Sequence, residues 1–194
     1  MKRVFDFIVA ALGFIVISPL LLLVSGLIYI IDGAPILFIQ ERIGLREKRF
    51  RMLKFRTMRS DLAGAALTVG RDHRITRLGQ ILRKLKIDEL PQLLNVIKGE
   101  MSFVGPRPEV LKYVALYSSE QKQVLNLIPG ITDPASLKYF NESDLLAMAK
   151  DPHEFYVRTI MPDKIRINLE YAKQATFFTD LKVIFKTVFK SAGC

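Results

Sequence analysis

From Phe7 to Ile31 the chain carries no charged side chain, reading FIVAALGFIVISPLLLLVSGLIYII. As a straight helix this stretch reaches roughly 37 Å at about 1.5 Å per residue, enough to cross a hydrocarbon core of about 30 Å. A secretory signal peptide fits less well, because the apolar run is too long and no small-x-small cleavage site follows it. In its middle sits Ser18-Pro19. Proline removes a backbone donor and disfavours helical geometry at the preceding residue, so a kink or break is expected there. Lys2 and Arg3 precede the run, while Arg42, Arg46, Lys48, Arg49, Arg51 and Lys54 follow it. Basic flanks stay on the cytoplasmic side, and a helix-break-helix hairpin that dips in and returns satisfies both, with Ser18 and Pro19 at the break. A single kinked span with a weakly basic start is the alternative.

The 194 residues are half hydrophobic, yet 29 Lys and Arg against 19 Asp and Glu leave a formal charge of +10. An apolar, basic chain suits a partner that is both greasy and anionic. Nucleic acid is disfavoured: tryptophan is absent, and the basic residues show neither aromatic interleaving nor a reading module. Cys194 is the single cysteine, which excludes an internal disulfide framework and a cysteine-based metal site and fits a reducing, cytoplasm-facing body.

Beyond the apolar run, Ile36–Gln40 and Phe50–Phe55 are short apolar or alternating stretches that predict a two-stranded element. Ser60–Gly70 is Gly/Ala-rich and reads as a mobile loop. Helical spacing covers Gly79–Lys86 and Glu89–Ile97, the latter closed by Gly99, and a third helix is expected over Glu109–Tyr117 after Pro108. Pro129-Gly130 reads as a turn. Near the end, TFFTDLKVIFKTVFK sets Phe178, Leu181, Phe185, Val188 and Phe189 on one helical face and Lys182, Lys186 and Lys190 on another. That pattern suits a helix lying at an anionic membrane surface; an amphipathic helix packed on the core is the plainer reading.

The densest polar constellation runs from Arg71 to Pro108. Asp88 and Glu89 are adjacent carboxylates at a predicted helix start, where unpaired amides keep a carboxylate ionised and attract phosphate. Asp88 as a simple N-cap is the bland account. An ionised aspartate also serves as a nucleophile toward phosphorus or as a hard oxygen ligand for Mg²⁺. Either role needs cations. Lys54, Arg56, Arg83 and Arg107 are the candidates for binding substrate phosphate, and Pro106 and Pro108 hold Arg107 on a stiff backbone.

On these residues the chain resembles the monotopic phosphoglycosyl transferases, the bacterial sugar transferase family that starts glycoconjugate assembly on polyprenol phosphate. The matching segments are the hairpin with Ser18-Pro19, KFRTM at Lys54–Met58, DHRITRLGQILRK at Asp72–Lys84, IDELPQLLNVIKGEMSFVGPRP at Ile87–Pro108, PGIT at Pro129–Thr132, and LEYAKQATFFTDLKVIFKT. The resemblance implies an α+β fold: a re-entrant membrane helix-break-helix, then a mostly α-helical cytoplasmic body with a short β-hairpin and interfacial amphipathic helices. It divides the chain into a membrane hairpin over 1–34 and a cytoplasmic catalytic domain over 35–194. It also implies Mg²⁺ dependence, held by Asp88, and a covalent phosphosugar on Asp88, with Glu89 as its partner. The expected reaction moves a sugar-1-phosphate from a UDP-sugar to polyprenyl (undecaprenyl) phosphate and releases UMP, at the cytoplasmic face of the bacterial inner membrane. Downstream glycosyltransferases are candidate partners, and no nucleic acid is. After Pro129–Thr132 the family continues with a Gly-Leu-x-Gln-Val-x-Gly-Arg-like segment, whereas this chain reads DPASLKYFNE, so no base-reading residue is assigned. A non-catalytic membrane adaptor, and direct transfer with Asp88 binding only metal, are the competing readings.

Overall fold

The computed structural model describes residues 2–59, 67–70 and 72–193. Helix α1 (Lys2–Ile31) is followed by strands β1 (Leu37–Ile43) and β2 (Arg49–Phe55), helix α2 (Arg77–Lys84), a 3-10 turn at Ile87–Gln92 leading into α3 (Leu93–Lys98), and β3 (Ser102–Val104). Then come α4 (Leu111–Val114), β4 (Gly130–Thr132), α5 (Pro134–Lys138), α6 (Glu142–Met148), α7 (Pro152–Phe155), α8 (Met161–Lys173) and α9 (Phe177–Ala192). Of the loop expected over Ser60–Gly70, residues 60–66 lie outside the described residues.

The break expected at Ser18-Pro19 is corrected: α1 is one continuous helix with Pro19 inside it. Pro19 cannot donate to the carbonyl of Ile15, its partner four residues back. The Ser18 hydroxyl donates to that same carbonyl at 2.7 Å, which keeps the acceptor satisfied and lets the helix run through. Ala10, Phe14, Ile17, Leu21, Val24 and Ile28 recur at spacings of three and four and pack on the body, the first half beside Phe50, Met52 and Val96, the second beside Phe55 and Leu82. The opposite face, including Leu12, Val16, Leu23 and Ile30, is exposed.

Both ends of α1 are fastened to that body. At the start, Arg3 donates to the carbonyls of Val96 and Ile97 in the last turn of α3 at 2.5 and 3.0 Å, the first of which also accepts from the Gly99 amide. Asp6, buried near the start of α1, accepts from the Ser102 hydroxyl at 2.8 Å. At the other end, the guanidinium of Arg56 donates to the carbonyls of Asp32, Gly33 and Ala34 at 2.6 to 2.8 Å.

The predicted two-stranded element is present as an antiparallel pair, longer than the alternating stretches suggested, with Leu37 opposite Phe55 and Ile43 opposite Arg49. The free edge of β2 is covered by a side chain: Asn95 on α3 accepts from the Leu53 amide at 3.1 Å and donates to the Arg51 carbonyl at 2.8 Å. This amide mimics a missing strand and locks α3 to β2. The turn expected at Pro129-Gly130 is corrected, because Gly130 opens β4, which pairs in parallel with β3. Gly105 and Gly130 meet there so closely that a Cβ on Gly130 would stand 2.2 Å from the Gly105 nitrogen. The helix expected over Glu109–Tyr117 shortens to α4, and the carbonyl of Glu109 is instead used by the Ile43 amide at the end of β1. A third core, built from Ile43, Tyr113, Val114, Leu125, Tyr156, Ile160 and Ile165, joins α4 to the helical segment that ends in α8.

Candidate active site

A cleft of about 1510 Å³ runs through the body and is lined by every candidate of the polar constellation: Lys54, Arg56, Arg83, Asp88, Glu89, Pro106, Arg107 and Pro108. This exceeds the roughly 300–1,000 Å³ of a pocket for one drug-sized ligand. Four elements build its polar end. Lys54 sits near the end of β2, two and four residues beyond the buried Met52 and Phe50, so strand alternation turns it to the same side as these core residues. Asp88 and Glu89 come from the 3-10 turn before α3, which Asn95 holds against β2. Arg107 follows β3, on a backbone fixed at both neighbouring prolines. The Pro106 carbonyl accepts from the Gly130 amide at 3.1 Å, and the Pro108 carbonyl accepts from Arg42 at 3.1 Å.

The two acids are in different chemical states. Glu89 is held from two sides: Lys54 donates to its Oε1 at 2.9 Å, and Arg107 donates to both its oxygens. Burial alone would raise its carboxyl, but Arg107 and Lys54 hold it well below the usual carboxylate range. Glu89 is thus a fixed anion. Asp88 is also buried, and among the described residues nothing bonds to its Oδ1. Burial, then the neighbouring Glu89 charge, push its carboxyl up, against the pull of Lys54, Arg83 and Lys86. The N-cap account therefore fails on geometry: the residue capping this turn is Lys86, in a left-handed conformation, and Asp88 lies inside the turn.

The cations divide by what they hold. Lys54 and Arg107 belong to Glu89, and burial pushes the Lys54 ammonium down to about 8 despite that partner. Arg83, on the last turn of α2, donates to the Thr57 hydroxyl at 2.8 Å, and its guanidinium faces the charge of Asp88. Arg56 lines the cleft but spends its hydrogen bonds on the three carbonyls behind α1. Thr57, Lys86 and Asn95 were not legible as site residues, since each acts through a backbone or side-chain contact that folding creates.

Residues 1–193 match the family model described as bacterial sugar transferase. The chain belongs to the bacterial sugar transferase family. This transferase is similar to the uncharacterized sugar transferase EpsL of Bacillus subtilis, with 35% identity over 98% of this chain and 86% of the relative. It is similar to the exopolysaccharide production protein ExoY of Sinorhizobium fredii, with 37% identity over 96% of this chain and 83% of the relative. It is also similar to the UDP-glucose:undecaprenyl-phosphate glucose-1-phosphate transferase of Caulobacter vibrioides, with 36% identity over 96% of this chain and 68% of the relative. The matched residues include α1, so the apolar helix belongs to the shared unit.

Proposed function

We propose that this sugar transferase moves a sugar-1-phosphate from a UDP-sugar to a polyprenyl phosphate, with undecaprenyl phosphate as the acceptor named for the Caulobacter relative, and that Asp88 carries the phosphosugar between them. The observation that carries the proposal is the asymmetry of the acid pair: Glu89 has both oxygens bonded to cations, while Asp88 Oδ1 is buried without a partner in a cleft ringed by Lys54, Arg83 and Arg107. A buried acceptor left unpaired costs about 1–3 kcal/mol, so its retention calls for a ligand that completes it.

In the first half-reaction an Asp88 oxygen attacks the phosphorus that bears the sugar, and the bond from that phosphorus to the nucleoside phosphate oxygen breaks. UMP leaves with that electron pair. In the second, a phosphate oxygen of the lipid attacks the same phosphorus, and Asp88 departs as the free carboxylate. Lys54 and Arg107 fix Glu89 beside the reacting group, and Arg83 offers a guanidinium to the phosphoryl oxygens.

The donor set fits Mg²⁺ in one specific way. Asp88 Oδ1 is an unused hard oxygen, and among the described residues no group of three or more His, Cys, Asp or Glu side chains is assembled. Magnesium is commonly held by one or two carboxylates with substrate phosphates and waters completing its shell, and Asp88 supplies the carboxylate here. When bound, the ion neutralises diphosphate charge and favours the ionised form of Asp88.

The same reading places the chain at the cytoplasmic face of the cell membrane. The outward face of α1 lies in lipid, and both of its ends stay with the body on one side. Helix α9 continues that surface: Phe5 and Phe177 meet edge to face at 4.9 Å, and Phe178, Phe185 and Phe189 are exposed. It packs on the body through Val183, Thr187 and Ser191 instead, with Thr187 and Thr132 hydroxyls 2.6 Å apart.

The test separates two-step from direct transfer. Given donor without acceptor, the enzyme should release about one equivalent of UMP and stop, with intact mass raised by the sugar phosphate on Asp88. Asp88→Asn should abolish burst and adduct. Substantial turnover in Asp88→Asn, or UMP release only in the presence of acceptor, would show direct transfer.

A further inference from the structure

Lys86 is the one residue of the acid-bearing turn held in a left-handed conformation without being glycine, with φ 57° and ψ 18°. That geometry costs roughly 1 kcal/mol or more for a residue with a side chain and persists only where the surroundings impose it. Its consequence is where the ammonium goes. Lys86 Nζ stands 5.2 Å from the centroid of the Phe140 ring, and Lys190 Nζ of α9 stands 5.1 Å from the same centroid. Lys190 also donates to the carbonyl of Leu137 at 2.9 Å. Among the described residues neither ammonium is paired with a carboxylate.

Each ammonium gains only about 0.5–1 kcal/mol from the ring's quadrupole at such a contact, less than a charge-assisted bond to an anion would give it. Lys86, Phe140 and Leu137 line the cleft that holds Asp88, together with Thr187 and Ser191 of α9. The position is close enough that the Lys86 charge acts on both Asp88 and Glu89. By contrast, Lys54 and Arg107 are both paired with Glu89. The cleft therefore has uncompensated positive charge at a second place, beside an aromatic face and next to the nucleophile.

Resting on the function proposed above, we propose that Lys86 and Lys190, gathered on Phe140, form a second anion subsite that binds the donor phosphate that is not attacked, the one that leaves with the nucleoside. Two ammonium groups on one aromatic side chain suit a nucleotide monophosphate, whose phosphate supplies the negative charge that neither has from the protein. Phe140 lies in the segment after α5, and the two lysines reach its ring from the acid-bearing turn and from α9.

UMP and UDP binding to the purified, detergent-solubilised transferase, by calorimetry, reads the subsite directly, and steady-state kinetics reads it in turnover. Lys86→Gln and Lys190→Gln should each weaken UMP at least fivefold and raise the donor KM by a similar factor, with the acceptor KM unmoved. Lys86→Arg should restore most of the loss. Phe140→Leu should weaken UMP and make the two lysine effects independent. If Lys86→Gln and Lys190→Gln instead raise the acceptor KM and leave UMP binding intact, the subsite holds the lipid phosphate and the proposal is overturned. If they lower the melting temperature without changing either affinity, the cluster is only structural and the proposal falls. UMP binding is read without turnover, so a failure of the Asp88 mechanism leaves this result interpretable.

Discussion

Replacing Gly79 by alanine tests how tightly α2 must sit to place Arg83. A Cβ on Gly79 would stand 2.2 Å from the carbonyl oxygen of Thr57 and 2.9 Å from its carbonyl carbon. Thr57 has little freedom to retreat: its carbonyl accepts from the Thr76 amide at 3.0 Å and its hydroxyl accepts from Arg83 at 2.8 Å. Real Cβ atoms essentially never approach a neighbour closer than 3.0 Å, so helix and strand extension must part by roughly 1 Å. Alanine gains about 1 kcal/mol of helix propensity over glycine. Overpacking against fixed backbone costs about 1–3 kcal/mol, leaving a net loss of about 1 kcal/mol. If Arg83 binds substrate phosphate as proposed, activity should suffer more, since a misplacement of about 1 Å costs on the order of 100-fold. Thermal unfolding and donor kcat/KM of the solubilised enzyme measure both, with Gln80→Ala on the exposed side of the same helix as the control. A Gly79→Ala enzyme that melts higher and keeps kcat/KM within about twofold would show that propensity alone governs this position, and the positioning account of Arg83 would be wrong.

Contacts already described fix four further outcomes. Lys54 is charged below about 8 and neutral above it, so activity should fall through that pH as Glu89 loses one of its two partners; Lys54→Arg should move this alkaline limb upward, and an unmoved limb would assign it to another group. Because that folded value lies below the ordinary 10.5, the folded state releases the proton first, and stability should rise between about pH 8 and 10 relative to Lys54→Met. Ser18→Ala should leave the Ile15 carbonyl unpaired and cost about 0.5–1.5 kcal/mol, whereas adding Pro19→Ala should recover much of the loss by restoring a backbone donor; equal melting of both variants would refute the compensation. With Cys194 replaced by serine, cysteines introduced at positions 2 and 46 should be labelled from the same side of the membrane, and opposite-side labelling would overturn the topology.

Local sequence made some of this protein legible. A charge-free run that long favours a helix able to cross a membrane, and the period-two alternation of Phe50, Met52 and Lys54 marks β2 as a strand. Gly99 ends α3 in the left-handed conformation expected of it, with φ 87°. No helix is expected from the sequence over Pro134 to Lys173, because its helices are mostly short and one passes through a π-helical stretch at Tyr156–Ile160, which blurs the 3.6-residue period. The Pro19 break failed for a related reason: proline's effect on its own backbone is local, but its rescue by the Ser18 hydroxyl is a matter of side-chain geometry.

Residue types and spacing by themselves determined that an acid pair would sit among basic residues next to a membrane-competent helix. Chemistry of that kind depends only on which groups are near in the chain and on their charge. Which acid is free and which is bound was decided by tertiary structure. Asp88 and Glu89 are adjacent in sequence and alike in composition, and they differ only because Lys54 from β2 and Arg107 from beyond β3 reach Glu89, leaving Asp88 Oδ1 unpartnered. The same holds for Arg56 and Arg83, two arginines of equal promise: one closes the chain behind α1 and the other faces Asp88. Hydrogen bonds are short and directional, so their allotment waits until distant segments have been packed to within about 3 Å of one another.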